Sequence, residues 1–135
     1  FLKDRFSLAA QRAIIQQIME NEKLAHQKKA EIIICDRSIV DSFVYMHSTG
    51  HKNEVDILYQ EMSHWVPSYD KIVLFNPHEI PYVQDSVRTE SPKKRIELHN
   101  AYLEFFEDRK INYALLTGSL EKRLRELAKI LNLTI

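Results

Sequence analysis

An acid, a guanidinium and a hydroxyl side chain directly follow the most continuous β-branched stretch of the chain. The stretch covers residues 32–35, and the polar side chains are those of Asp36, Arg37 and Ser38. A hydrophobic run without alternation is typical of a strand buried on both faces, and the carboxyl ends of parallel strands face the ligand crevice of an open α/β sheet. The pattern therefore predicts a binding or catalytic site here. The alternative is a strand exit that only caps the next helix, although capping requires no arginine.

The same candidate site continues into a predicted helix over residues 38–47. Ser38 and Asp41 have the S-x-x-D spacing of a capping box, in which the serine caps the first turn and the acid returns a hydrogen bond. Asp41 and Tyr45 are one turn apart and share a face. Asp41 therefore either caps this helix or contacts a substrate, and the sequence leaves both interpretations open.

A long irregular segment contains further charged residues. Residues 78–91 show neither helical nor strand periodicity, and they include Asp85 and Arg88. A loop of this length and charge is more typical of a binding loop or lid than of a simple connector. We therefore expect a lid over about residues 78–95.

A basic helix start closes the predicted lid. Ser91 and Pro92 predict the N-terminus of a helix that ends near Asp108. Its first turn contains three cations, at residues 93–95, although cations oppose the macrodipole at a helix N-terminus. An anion bound by Lys94 and Arg95 would relieve this opposition, which predicts a phosphate site. A solvated basic turn is the alternative.

The third polar group consists of Thr117, Gly118 and Ser119. It follows a predicted strand over residues 112–116, and Ser119 is expected to cap the last helix. Gly118 is one of only two glycines in the chain. Because this group also lies at the carboxyl end of a strand, we expect it to face the same crevice.

The remaining pattern predicts the elements that position these residues. Alternating strands and helices predict an α/β layer of parallel strands with right-handed crossovers. The first helix is expected to bury Ile14 and to expose Glu22, and Asn53 is the expected cap of the third helix. Strands buried on both faces are expected at residues 32–35, 71–75 and 112–116, and helices at about residues 7–29, 38–47, 53–65 and 91–108 and after Ser119.

Composition narrows the class of protein. A chain of 135 residues with 44% hydrophobic and 28% charged residues is expected to form one globular domain. Nineteen basic and nineteen acidic residues cancel, so the net charge does not favour nucleic acid or an anionic membrane as a partner. A single cysteine, Cys35, cannot form a disulfide within the chain, which suits a reducing, cytoplasmic location. The sequence contains no membrane-spanning apolar run and no spacing typical of a zinc site.

These parts suit phosphoryl transfer, which needs groups that position the phosphate and neutralise developing charge. The Asp36-Arg37-Ser38 triplet resembles the D/E-R-S/Y motif of deoxynucleoside and thymidylate kinases. A wider set resembles more closely the AAA-like ATPase domains related to nicotinamide riboside kinase, in which the lid usually has a glycine where this chain has Ser86. That set comprises Asp36-Arg37-Ser38-x-x-Asp41-x-x-x-Tyr45, Asp85-Ser86-Val87-Arg88, and Thr117-Gly118 with Arg123.

The resemblance implies a three-layer P-loop NTPase-type parallel sheet and, as cofactors, ATP and Mg²⁺. It implies ATP-dependent phosphoryl transfer to a nucleoside-like or other small hydroxyl substrate. Asp36 would be the base or the acid beside Mg²⁺, directly or through water, and Arg37 would clamp substrate or phosphate. The other implied roles are those of lid cations for Arg88, Lys94 and Arg95, of substrate contacts for Ser38, Asp41, Tyr45 and Asp85, and of nucleotide contacts for Thr117, Gly118 and Ser119.

One part of the resembled family is missing from the sequence. No G-x-x-x-x-G-K-[ST] motif is present, although the family has this phosphate loop near its N-terminus. We therefore expect the chain to be the C-terminal portion of a longer P-loop kinase-like domain and not to be a competent kinase alone. We also expect the strand that leads to this phosphate loop to lie in the sheet between the strand of residues 32–35 and the strand of residues 71–75. The alternatives are a regulatory module that binds nucleotide or phosphoinositide without turnover, and a structural fragment.

Overall fold

The computed structural model describes residues 7–80 and 91–134. The chain divides between Ser68 and Tyr69 into two compact units. The described part of the first unit, residues 7–68, contains only helices and connecting turns, whereas the described part of the second contains a small parallel sheet, a 3-10 turn and two α-helices. The single domain over all 135 residues stays a prediction.

Three helices and a short 3-10 helix build the first unit. Helix α1 covers Leu8–Gln27, α2 covers Ile39–Ser48, α3 covers Lys52–Met62, and the 3-10 helix covers Ser63–Ser68. Helix α1 packs against both α2 and α3. The core that these helices share is apolar and almost completely inaccessible to solvent, and it includes Ile15, Ile39, Phe43, Val44, Met46, Val55 and Leu58.

The buried face of helix α1 differs from the predicted one at Ile14 and at Glu22. Ile14 is 43% exposed, whereas Ile15 is completely buried. Glu22, which was expected on the polar face, is only 8% exposed, and its Oε1 accepts a hydrogen bond of 2.9 Å from Nε1 of Trp65. A carboxylate can be buried here because the indole satisfies one of its acceptors.

The predicted strand at residues 32–35 is wrong. These residues belong to no strand, and the side chains of Ile32 and Ile34 are 40% and 80% exposed. A parallel strand buried on both faces needs a hydrogen-bonded neighbour and a packed layer on each face, and the described elements place neither around this segment. The predicted separation of this segment from residues 71–75 by another strand stays a prediction.

The predicted cap of the third helix is also wrong. Helix α3 begins at Lys52, so Asn53 already lies inside it, and the N-cap residue His51 makes no side-chain capping bond. The reason is the tight end of α2. Gly50 adopts a left-handed φ of 88°, and the N–H of His51 donates to the carbonyl of Met46, so that α3 starts immediately after this turn.

The second unit contains two parallel strands, as predicted for its part of the chain. Strand β1 covers Val73–Phe75 and strand β2 covers Ala114–Leu116, in the register Val73 with Ala114 through Phe75 with Leu116. The strands are not buried on both faces as expected, because Phe75 is 49% exposed and Leu115 is 39% exposed. The described residues therefore form a two-stranded sheet, and the predicted three-layer sheet is not observed among them.

Helices follow both strands of the second unit. A 3-10 turn, Pro77–Glu79, follows β1, and helix α4 covers Pro92–Asp108. Helix α5 covers Leu120–Ile130 and directly follows the loop after β2. The side chains of Phe105 and Phe106 on α4 are buried, which confirms the predicted apolar side of that helix.

Candidate functional site

Ser38 and Asp41 form the N-terminal cap of α2. The hydroxyl of Ser38 accepts a hydrogen bond of 3.1 Å from the N–H of Val40, and the N–H of Ser38 donates to Oδ2 of Asp41 at 2.5 Å. This reciprocal arrangement is the capping box that the S-x-x-D spacing predicted. The capping interpretation of Asp41 is therefore confirmed, and its substrate contact stays a prediction.

Asp36 and Arg37 lie immediately before this cap, and both are exposed. Arg37 has a φ of 78°, in the left-handed region that side chains with a Cβ disfavour. Three other non-glycine residues with positive φ occur among the described residues, and each follows the C-cap of a helix, where this conformation is common: Lys29, Lys110 and Asn132. Arg37 instead precedes an N-cap, so the usual helix-ending explanation does not apply to it.

Tyr45 lies one turn beyond Asp41 on α2, with 36% of its surface exposed. Its backbone carbonyl accepts hydrogen bonds from the hydroxyls of Ser48 and Thr49, at 2.8 and 3.0 Å. These bonds fix the end of the helix and leave part of the phenol ring accessible. The structure therefore permits the predicted substrate contact without showing it.

The buried carboxylate of Glu22 lies next to the thiol of Cys35, a contact that was not predicted. Besides Trp65, the carboxylate of Glu22 interacts with the thiol of Cys35. Although Cys35 as a residue is exposed, partial burial of its thiol and the nearby carboxylate both raise the pKa of the thiol. A thiol with a raised pKa stays protonated at neutral pH, so Cys35 is a poor nucleophile.

The loop after β2 forms a second polar site, in the second unit. The hydroxyl of Ser119 accepts a hydrogen bond of 3.2 Å from the N–H of Lys122, which confirms Ser119 as the cap of α5. Gly118 has a φ of 88°, and a Cβ on it would lie 2.6 Å from Cδ of Lys122. The left-handed backbone favours glycine at this position, and a larger residue would also require the exposed side chain of Lys122 to move.

An acidic residue completes this second site. The N–H of Gly118 donates a hydrogen bond of 2.5 Å to Oε2 of Glu79, the last residue of the turn after β1. In the sequence, Glu79 falls within the predicted lid and carries no other predicted role. Nothing in its local sequence indicates the contact, because the two residues are 39 positions apart.

Two cations of α5 lie beside the same loop. Nζ of Lys122 is 3.4 Å from the hydroxyl of Thr117 and 3.5 Å from a carboxylate oxygen of Glu126. The guanidinium of Arg123 lies 5.7 Å from the ring centroid of Phe75, the last residue of β1. Its Nε is buried without a hydrogen-bond partner in the part of the chain that the structure describes. The loop is therefore rich in hydrogen-bond donors.

The basic start of α4 is arranged as the sequence predicted, with one addition. The hydroxyl of Ser91 accepts a hydrogen bond of 3.2 Å from the N–H of Lys94, and the Lys94 side chain is exposed. Nη1 of Arg95 donates to the carbonyl of Ile80 at 3.0 Å, so this arginine fixes α4 to the end of the turn after β1. Arg88 and Asp85 lie outside the described residues. The lid and its phosphate site therefore stay predictions.

The side chains that could bind a metal ion limit the kind of metal site that this chain can form. Among residues 7–80 and 91–134, no group of three or more histidine, cysteine, aspartate or glutamate side chains could hold a metal ion. Mg²⁺ usually takes one or two protein carboxylates and completes its shell with phosphate oxygens and water. The exposed carboxylate of Asp36 could serve as such a single protein ligand, with a bound nucleotide and water supplying the other ligands.

None of the described helices is both long and apolar enough to cross a membrane.

Comparison with known proteins identifies the family. A family model described as an AAA domain matches residues 2–123, which is most of the chain. Comparisons with curated proteins and with solved structures found no match. The match supports the AAA-like part of the resemblance, which implies nucleotide binding, typically with Mg²⁺, and it gives no support specific to nicotinamide riboside kinase or thymidylate kinase. The chain belongs to the AAA domain family.

Proposed function

We propose that this chain is the part of an ATP-dependent small-molecule kinase that binds the phosphate acceptor and borders the nucleotide base. The substrate would be a nucleoside-like molecule or another small molecule with a free hydroxyl. Membership in a nucleotide-binding family supports the proposal, and so does the pair Asp36 and Arg37, exposed at the N-terminus of α2.

The backbone of Arg37 is the observation that carries the proposal. The left-handed conformation costs a residue with a Cβ roughly 1–2 kcal/mol, a cost that glycine avoids. Capping does not require the arginine, because Ser38 and Asp41 already satisfy the start of α2. Strained residues of this kind concentrate at functional sites. A role of the exposed guanidinium in binding an anion would explain why arginine, and not glycine, occupies this strained position.

Each proposed site residue of the first unit then has its own role in the reaction. The carboxylate of Asp36 either accepts the proton of the attacking hydroxyl or would hold Mg²⁺, directly or through water. The planar guanidinium of Arg37 binds phosphate oxygens through two parallel hydrogen bonds. Ser38 and Asp41 hold the turn in place, and Tyr45 contacts the substrate from the next turn of α2. When bound, ATP supplies the transferred phosphoryl group.

The second unit contributes contacts to the nucleotide and the phosphates. The loop at the carboxyl end of β2 borders the nucleotide base and consists of Thr117, Gly118 and Ser119. Lys94 and Arg95, together with Arg88 of the predicted lid, neutralise the phosphates during transfer, and Asp85 contacts the substrate. A cytoplasmic location belongs to the same proposal.

Single-turnover phosphoryl transfer in the complete protein tests this function. Labelled ATP with Mg²⁺ would be offered with a panel of nucleosides, to wild type, Asp36→Asn and Asp70→Asn. Asp70 is an exposed carboxylate that serves as the matched control. We expect Asp36→Asn to remove most of the transfer, because an amide cannot accept the proton, and Asp70→Asn to leave it unchanged.

Two results would contradict the proposal in different ways. An unchanged rate for Asp36→Asn would assign that residue a structural role. Tight nucleotide binding by the wild type without transfer to any acceptor would favour the regulatory module. Vesicles containing phosphoinositide would then show whether its ligand is a lipid head group.

A further inference from the structure

The contact between Glu79 and Gly118 joins the loops that follow the two paired strands. Glu79 ends the turn after β1, and Gly118 lies between β2 and the N-cap of α5. The hydrogen bond from the N–H of Gly118 to Oε2 of Glu79 spans 39 positions of the chain. The fold, and not a local turn, therefore brings this carboxylate to the loop proposed to border the nucleotide.

The carboxylate is held there by more than one favourable interaction. A hydrogen bond from a backbone N–H to a carboxylate is charge-assisted and stronger than one between neutral groups. Gly118 directly precedes the N-cap of α5, so the positive end of that helix dipole also favours an anion. The side chain of Lys122 lies against Gly118, which adds a nearby cation. A nucleotide that accepts from the N–H of Gly118 must therefore displace a well-stabilised competitor.

We propose that Glu79 is an internal competitor of the nucleotide at the loop of residues 117–119. The inference rests on the nucleotide role proposed above for that loop. In this arrangement Glu79 holds the loop closed without nucleotide, and release of its carboxylate from Gly118 accompanies nucleotide binding. Glu79 thereby lowers the affinity of the site and excludes ligands that lack an acceptor for the N–H of Gly118.

A purely structural role for the same contact makes the opposite prediction. If Glu79 only braces the loop in a shape that receives the nucleotide, its removal would disorder the loop and weaken binding. If Glu79 competes, its removal frees the donor and strengthens binding. The sign of the change in affinity therefore separates the two roles.

Titration of the complete protein with a fluorescent ATP analogue, mant-ATP, in the presence of Mg²⁺ measures that sign. Glu79→Gln keeps a neutral acceptor, and Glu79→Ala removes the acceptor. The expected order of affinity is Glu79→Ala tightest, then Glu79→Gln, then wild type, with about tenfold between the extremes for one charge-assisted hydrogen bond. Glu104→Ala, which removes an exposed glutamate from α4, is the matched control and should bind like the wild type.

The amide NMR spectrum reports the contact itself, without any nucleotide. The resonance of Gly118 is assigned by comparison with the spectrum of Gly118→Ala, and Gly50 is an internal reference because its N–H donates to the carbonyl of His47. We expect Glu79→Ala to move the Gly118 amide proton upfield and to leave that of Gly50 in place. Saturating mant-ATP should also shift Gly118 in the wild type.

Each outcome has a definite meaning. An unmoved Gly118 resonance in Glu79→Ala would overturn the contact and the inference together. Equal or weaker binding of mant-ATP by Glu79→Ala, with wild-type binding intact, would overturn the competitor role while the proposed function stands. If no variant binds mant-ATP although the Gly118 resonance moves, the nucleotide role of the loop fails, and the inference with it.

Discussion

Replacement of Arg37 by glycine should stabilise the protein, although glycine usually destabilises. Arg37 has a φ of 78°, where a residue with a Cβ is strained by roughly 1–2 kcal/mol and glycine is not. Glycine gives back about 0.4–1 kcal/mol of this through its greater freedom in the unfolded chain. Because the arginine side chain is exposed, its removal costs little packing. The expected net gain is therefore on the order of 1 kcal/mol.

Urea denaturation measures this gain from the shift of the transition midpoint at an unchanged slope. Arg37→Ala is the first comparison, because it removes the guanidinium but keeps the strained Cβ, and it should match the wild type within about 0.5 kcal/mol. Lys110→Gly is the second, because Lys110 also has a left-handed φ, of 56°, at the end of α4. It should be stabilised in the same way. A loss of about 1 kcal/mol in Arg37→Gly, as in an ordinary exposed position, would refute the strained backbone.

Three further predictions test other parts of the account. Gly118→Ala and Gly50→Ala should each lower the free energy of unfolding, because both glycines have a φ of 88°, and the loss should be slightly larger at Gly118, where the exposed side chain of Lys122 must move away from the new Cβ; no loss at either position in urea denaturation would argue against the left-handed conformation. Glu22→Gln should lower the pKa of the Cys35 thiol toward its ordinary value, measured from the pH dependence of alkylation, and an unchanged profile would mean that burial alone raises this pKa. Since Arg12 lowers the pKa of Glu61, their ion pair stabilises the fold above the ordinary pKa of the carboxyl, and this contribution is lost as the pH falls through the lowered value. The stability difference between wild type and Glu61→Gln should therefore shrink in acid, whereas a constant difference would contradict the role of the ion pair.

Local signals explain why the starts of four of the five described α-helices were predicted well, the exception being α3. Ser7, Ser38, Ser91 and Ser119 each accept a hydrogen bond from a backbone N–H two or three residues later. A cap of this kind depends on neighbouring residues alone, so the sequence contains the whole interaction. The parallel pairing of β1 with β2 was also consistent with the alternation of strands and helices.

Interactions between distant residues explain the errors and omissions. The β-branched composition of residues 32–35 indicates a strand, but composition does not provide the neighbouring strands that a sheet requires. Glu22 was assigned to the polar face because periodicity cannot show that Trp65, 43 positions away, satisfies it in the interior. Glu79 was missed as a contact of Gly118 for the same reason.

The transfer activity of Arg37→Gly tests the central claim most directly. We expect this variant of the complete protein to be at least as stable as the wild type, yet to transfer phosphate about a hundredfold more slowly or worse in single turnover, a typical loss for a removed group that stabilises transition-state charge. Because its stability is not reduced, misfolding cannot explain such a loss. A stabilised Arg37→Gly with an unchanged transfer rate would contradict the claim that Arg37 binds phosphate.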